Sequence, residues 1–102
     1  MIKVKIKQTE SNGFEITVQG HAEMGKKGSD ILCAAVSTLY ETLTESIASI
    51  SKTSIVSEHK TSGCRKIMID GLDSPSLILI NSFEIGCLCL EKTYPEYIQV
   101  EA

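Results

Sequence analysis

The sequence predicts an α+β fold: one domain with two helices on one face of a mostly antiparallel sheet, in the order β-β-α-β-β-α-β. Three observations carry that prediction. The chain opens on strict apolar/charged alternation, a long apolar repeat at three- and four-residue steps follows a glycine-rich stretch, and two further β-rich runs precede a second apolar helix. No internal repeat, low-complexity tract or linker interrupts residues 1–102, so a single domain is expected, burying roughly two-thirds of its unfolded surface.

The elements follow in order. Ile2, Val4 and Ile6 point one way and Lys3, Lys5 and Lys7 the other, the period-2 pattern of a strand with one wet face. Asn12-Gly13 is expected to supply the positive φ angles of a tight hairpin. Phe14, Ile16 and Val18 then alternate with Glu15, Thr17 and Gln19 in a second strand that runs into Gly20. From about Asp30 to Ser51 the residues Leu32, Val36, Leu39, Leu43, Ile47 and Ile50 recur on one helical face, with Ser29 or Asp30 as N-cap, for a helix about 30 Å long. Residues 53–60 and 65–70 are β-rich and flank Thr61-Ser62-Gly63, an expected hairpin turn. Ser74-Pro75 predicts a helix start, serine as cap and proline at the first helical position, before the apolar run Leu77 to Leu90. Tyr94-Pro95 ends that helix, and Tyr97, Ile98 and Val100 make a short last strand.

Charge and composition narrow the function. A net charge of -3 and a pI near 5.3 argue against broad nucleic-acid binding, which rests on clustered Lys and Arg. The alternating N-terminus lacks the continuous apolar run of a signal peptide, and no apolar stretch is expected to approach the ~20 residues of a membrane span, so a cytoplasmic protein is expected. In that reducing compartment Cys33, Cys64, Cys87 and Cys89 are free thiols. Cys87 and Cys89 lack a second ligand pair at zinc-finger spacing, so no metal is expected. Gly20, Gly25 and Gly28 match neither phosphate-binding fingerprint and suit loop hinges instead, which implies no cofactor; Lys26-Lys27 reads as a solvated loop tip.

The segment from Gly20 to Cys33 carries the chemistry. It sets His21 at a strand end and Cys33 in the first turn of the long helix, joined by the glycine-rich loop. A thiol must lose its proton to attack a carbonyl, and the two levers for that are a neighbouring imidazole and the positive end of a helix dipole. Taken singly, a cysteine on a helix packed against a sheet is a small core hydrophobe. The place of Cys33 just after the loop favours a nucleophile, whereas Cys64, Cys87 and Cys89 have no such context and read as structural. His59, between Glu58 and Lys60, suits a solvated face. Asp30 either caps the helix or orients His21, and Ser37 follows Cys33 one turn later on the same face.

The run Gly20-His21-Ala22, then Gly28 through Ser37, resembles the signature of the ribosomal-processing cysteine protease family, and Tyr94-Pro95-Glu96-Tyr97-Ile98 resembles its C-terminal end. The resemblance implies a cysteine endopeptidase domain over residues 1–102, with His21 and Cys33 as its catalytic pair and Asp30 and Ser37 in supporting roles. It further implies removal of a short N-terminal extension from a large-subunit ribosomal protein, in support of ribosome assembly. A homodimer with a mobile loop between the histidine and the cysteine, here about residues 22–29, is implied as well, with no direct nucleic-acid or membrane contact. The residue that orients His21 stays open among Asp30, Ser37 and a backbone carbonyl. Two other classes are a non-catalytic ribosome-associated peptide-binding module and a thiol redox sensor using Cys33, the latter disfavoured because no Cys-x-x-Cys motif or evident resolving cysteine is present. For the protease, the substrate pocket is expected to be apolar, with the strand ending at Gly20 offering an edge to the peptide.

Overall fold

The computed structural model describes residues 1–21 and 28–102, and within 28–30 the backbone alone. Seven elements follow the expected order: β1 (Ile2–Gln8), β2 (Gly13–Gln19), α1 (Gly28–Ile50), β3 (Ser54–Thr61), β4 (Cys64–Asp70), α2 (Ser74–Thr93) and β5 (Ile98–Glu101). The strands lie in one sheet in the order β3-β4-β2-β1-β5, antiparallel except for the β1–β5 pair. The fold is therefore α+β with a single compact domain.

Register explains the core. Ile98 pairs with Ile2, Val100 with Val4 and Val4 with Val18, Ile6 with Ile16 and Ile16 with Ile67, and Phe14 with Ile69. These rows share one sheet face, and against them pack Leu32, Val36, Tyr40, Leu43 and Ile47 of α1 and Ile80, Phe83 and Cys87 of α2. Full burial of each such aliphatic or aromatic side chain contributes about 1.5–3 kcal/mol. The alternate residues Lys3, Lys5 and Lys7 are exposed on the other face. The helices approach each other closely at Gly86, where a Cβ would lie 3.0 Å from Leu39 Cδ2.

Several local expectations are corrected. Gly13 has no positive φ; it begins β2 as a glycine because a Cβ there would come within 2.2 Å of the Ile69 carbonyl oxygen. The β1–β2 turn is longer than a two-residue hairpin and is closed by Thr9 N–H donating to the Gly13 carbonyl at 3.0 Å. Helix α1 starts at Gly28, so Ser29 and Asp30 lie within its first turn rather than capping it. Its buried stripe takes in Tyr40, while Ile50 at the last turn is 64% exposed. The cap of α2 is Asp73, not Ser74, and Pro75 stands at the second helical position. The Asp73 carboxylate accepts from the Ser76 amide at 2.9 Å and from the Lys52 amide at 2.8 Å, and the Ser76 hydroxyl closes a capping box by accepting from the Asp73 amide. Those donors, Lys52 first, hold the Asp73 carboxyl at about 2, below its ordinary 3.8.

Helix α2 also exceeds the expectation about apolar length. Its 20 residues are long and apolar enough to cross a membrane by length and composition alone. In this fold it lies over the sheet, with Ser76, Ile80, Phe83 and Cys87 buried and with Leu77, Ile78, Ile85 and Leu88 exposed. Finally, β2 is a central strand with both edges paired, so it offers no free edge at Gly20; the outer strands are β3 and β5. Part of the β5 edge is already occupied, because the Glu91 carboxylate accepts from the Val100 amide at 2.7 Å.

Candidate active site

Two strand ends and the N-terminal part of α1 build one cleft. Past the last residue of β2, Gly20 takes φ +96 and its amide donates to the Gly63 carbonyl at 2.8 Å, tying the end of β2 to the β3–β4 turn. That bond carries His21 up against the turn. Gly63, at φ +82, is the residue the imidazole lies over: a Cβ there would stand 2.8 Å from His21 Nε2. The left-handed φ and this close approach both demand glycine. His21 is exposed.

Across the cleft, Cys33 and Ser37 project from α1 one turn apart, both half-buried. His21, Cys33 and Ser37 line a cleft of about 230 Å³, together with the apolar side chains of Ile2, Val18 and Val36 and the hydroxyl residues Thr61 and Ser62. Counted from Gly28, Cys33 is the sixth residue of α1, which places it in the second turn rather than the expected first. The helix dipole acts mainly within the first turn, so it bears less on Cys33 than a first-turn position would allow.

Of the other predicted site residues, Asp30 lies in the first turn of α1 and Gly28 is that helix's first residue. Gly25, the Lys26-Lys27 tip and most of the loop expected to be mobile lie outside the described residues. His59 is on the exposed strand β3 and is not among the residues that line the cleft. The remaining cysteines separate by environment. Cys87 is fully buried in the core, where desolvation pushes its thiol up to about 12, and Cys89 is exposed on α2. Cys64 contributes to the cleft wall, which the sequence reading did not anticipate. Among the described residues no group of three or more His, Cys, Asp or Glu is placed to hold a metal ion.

The cleft wall also holds a charge that sequence reasoning missed, since an apolar pocket was expected. Arg65 of β4 lines it, with its guanidinium carbon 5.8 Å from the centroid of the Tyr40 ring and Nη1 3.7 Å from Glu41 Oε1. Lys60 of β3 makes the closer ion pair with the same Glu41 oxygen. Tyr40 is buried beneath, and desolvation, then the Glu58 and Glu41 carboxylates, push its hydroxyl up to about 12. The signal for Arg65 was its period-2 phase with Ile67 and Ile69, which puts a cation on the core face of β4.

A cysteine and a histidine thus line one open cleft beside a sheet end. The model of the family described as cysteine protease Prp matches residues 1–99. The chain belongs to the cysteine protease Prp family. It is accordingly a cysteine peptidase, a hydrolase of peptide bonds. No curated protein matches the sequence. Among solved structures it is similar to the ribosomal processing protease Prp from S. aureus with a covalently linked product peptide, at 21% identity and a TM-score of 0.84, covering 99% of this chain and 98% of that one. The same S. aureus protease with a substrate peptide matches at 20% identity and a TM-score of 0.78, with 99% and 98% covered. SMU.848 from Streptococcus mutans matches at 25% identity and a TM-score of 0.78, over 99% of this chain and 92% of that one.

Proposed function

We propose that Cys33 is the nucleophile and His21 its general base, in an endopeptidase that removes a short N-terminal extension from a large-subunit ribosomal protein and so supports ribosome assembly. The observation that carries this reading is the presence of both side chains on the walls of one open cleft in a member of this protease family. His21 takes the Cys33 proton and the thiolate attacks the scissile carbonyl; His21 then protonates the departing amine, leaving an acyl-enzyme that water hydrolyses. Ser37, one turn along the same wall, and Asp30, in the first turn of α1, support the pair. The substrate assignment is supported by the S. aureus relatives, which are ribosomal processing proteases seen with peptides.

The protease works in the cytoplasm as a homodimer. The exposed apolar face of α2, with Leu77, Ile78, Ile85 and Leu88, supports the dimer as surface that a second copy would cover.

A peptide spanning the extension junction of the host's ribosomal protein tests the function directly. The wild type cuts it once, as read by mass spectrometry, and leaves unfolded casein intact. Cys33→Ala and His21→Ala each lower kcat/KM by roughly 10³-fold or more with unchanged circular dichroism. Cutting at the wild-type rate by Cys33→Ala would show that the nucleophile lies elsewhere.

A further inference from the structure

Arg65 stands where the sheet pattern calls for an apolar residue. Its register places it in the row Val100, Val4, Val18, Arg65, Lys60, so three valines give way to two cations where the sheet floor meets the cleft. The guanidinium lies over Tyr40 and near Glu41, yet one of its donors is left over. Its Nη1 is buried with no hydrogen-bond partner among the described residues, the nearest carboxylate oxygen at 3.7 Å is out of hydrogen-bonding range, and Lys60 already occupies that oxygen. A charged donor left without an acceptor is costly, and a ligand that brings one gains what the free protein lacks.

The surroundings define the acceptor. Glu41, Glu58, Lys60 and Arg65 sum to zero charge around Tyr40, so the cluster needs a dipole rather than an anion. An extended peptide brings a carbonyl oxygen with every residue. Position along α1 sets which one. Tyr40, over which the guanidinium lies, is seven residues beyond Cys33, about 10 Å along the helix axis. At ~3.3 Å per extended residue that is about three residues from the bond being cut.

We propose that Arg65 is a substrate-binding residue that donates a hydrogen bond to a main-chain carbonyl about three residues from the scissile bond, fixing the register of the peptide in the cleft. This rests on the reading of the cleft as the substrate site, and it assigns the part of that site away from the thiol. The contact is made equally in the ground and transition states, so its loss raises KM and leaves kcat in place.

The test measures affinity of the uncleaved junction peptide for Cys33→Ala protein, with and without Arg65→Met, which keeps an unbranched apolar stem over Tyr40. Arg65→Met is expected to weaken binding roughly 10-fold, and Arg65→Lys to recover part of it. With Cys33 intact, Arg65→Met and Arg65→Lys raise KM at constant kcat, and thermal melts of both match the wild type. Peptides carrying an alkene in place of one amide at a time locate the contact: at one position the alkene weakens binding to the Arg65 protein and has no further effect on Arg65→Met. Unchanged affinity in Arg65→Met, an equal penalty from every alkene position, or a dependence on an acidic side chain instead of a carbonyl each overturns the inference. If Cys33→Ala still cuts the peptide, the site reading itself has failed; if Cys33→Ala is inactive but Arg65→Met binds normally, only the role of Arg65 has.

Discussion

The two helices are both apolar and both lie on the same sheet face, yet they spend their second faces differently. Helix α1 buries Leu32, Val36, Tyr40, Leu43 and Ile47 and turns Cys33, Ser37 and Glu41, at four-residue steps, toward the cleft side. Helix α2 buries Ser76, Ile80, Phe83 and Cys87 and leaves Leu77, Ile78, Ile85 and Leu88 exposed. The difference teaches that an apolar stripe identifies a core helix, while the residues beside the stripe tell what the helix does. Beside the α1 stripe stand a thiol, a hydroxyl and a carboxylate; beside the α2 stripe stand groups that only lose by meeting water.

Substitutions on α2 break that contrast most strongly when they fall on its inner face. Phe83→Ala removes a nearly fully buried ring and is expected to destabilise the fold by about 3–5 kcal/mol in urea unfolding monitored by circular dichroism. A loss below about 1 kcal/mol would mean that α2 is not part of the core.

The β3–β4 turn is the next point of leverage, because it connects stability to the site. Gly63→Ala forces a side chain into a left-handed φ and drives its methyl into the His21 ring, so it should cost about 1 kcal/mol in stability and lower kcat more than the stability loss explains. Wild-type kcat in a folded Gly63→Ala protein would show that the imidazole position over the turn is irrelevant to turnover.

The cap of α2 sets the acid limb of stability. The Asp73 carboxyl is held at about 2 in the fold against 3.8 ordinarily. A lowered folded value means that the contribution is fully present above the unfolded value and is lost as pH falls from about 4 toward 2. Asp73→Asn keeps a capping side chain without the charge, and is expected to flatten Tm against pH in that window. The same slope in both proteins would place the acid sensitivity elsewhere.

The smallest effect on folding belongs to the outer face of α2. Ile85→Asp, at a position 61% exposed, should change stability of the protomer by within about 0.5 kcal/mol; on the proposal that this face joins two copies, it shifts sedimentation from dimer to monomer. A dimer that survives Ile85→Asp together with Ile78→Asp would place its interface off this helix.

Much of this contrast was legible before any coordinates. The alternation of Ile2, Val4 and Ile6 with three lysines, and the stripe from Leu32 to Ile47, depend on local periodicity, and the element order followed from them. What the sequence hid was non-local or decided by one residue. Gly13 is a glycine because a carbonyl from β4 approaches it, and that partner is 56 positions away, at Ile69. The Asp73 cap lost out on paper to Ser74-Pro75, although the amide of Lys52, delivered by the end of α1, favours the aspartate. The pairing of His21 and Cys33 in one cleft was legible from the motif, whereas Arg65 in its wall required the register that sets β4 between β2 and β3. The start of α1 at Gly28 moved Cys33 from the first turn to the second, a change of two residues that takes the thiol away from the strongest part of the helix dipole.

The proposed function turns on whether the α1 thiol that shares the cleft with His21 is the one that attacks the substrate. A junction peptide ending in a chloromethyl ketone at the cut position, followed by peptide mapping, measures this directly. A single adduct is expected on Cys33, absent from Cys33→Ala and formed far more slowly by His21→Ala. An adduct on Cys64 or Cys89, or one on Cys33 that forms at the same rate without His21, would contradict it.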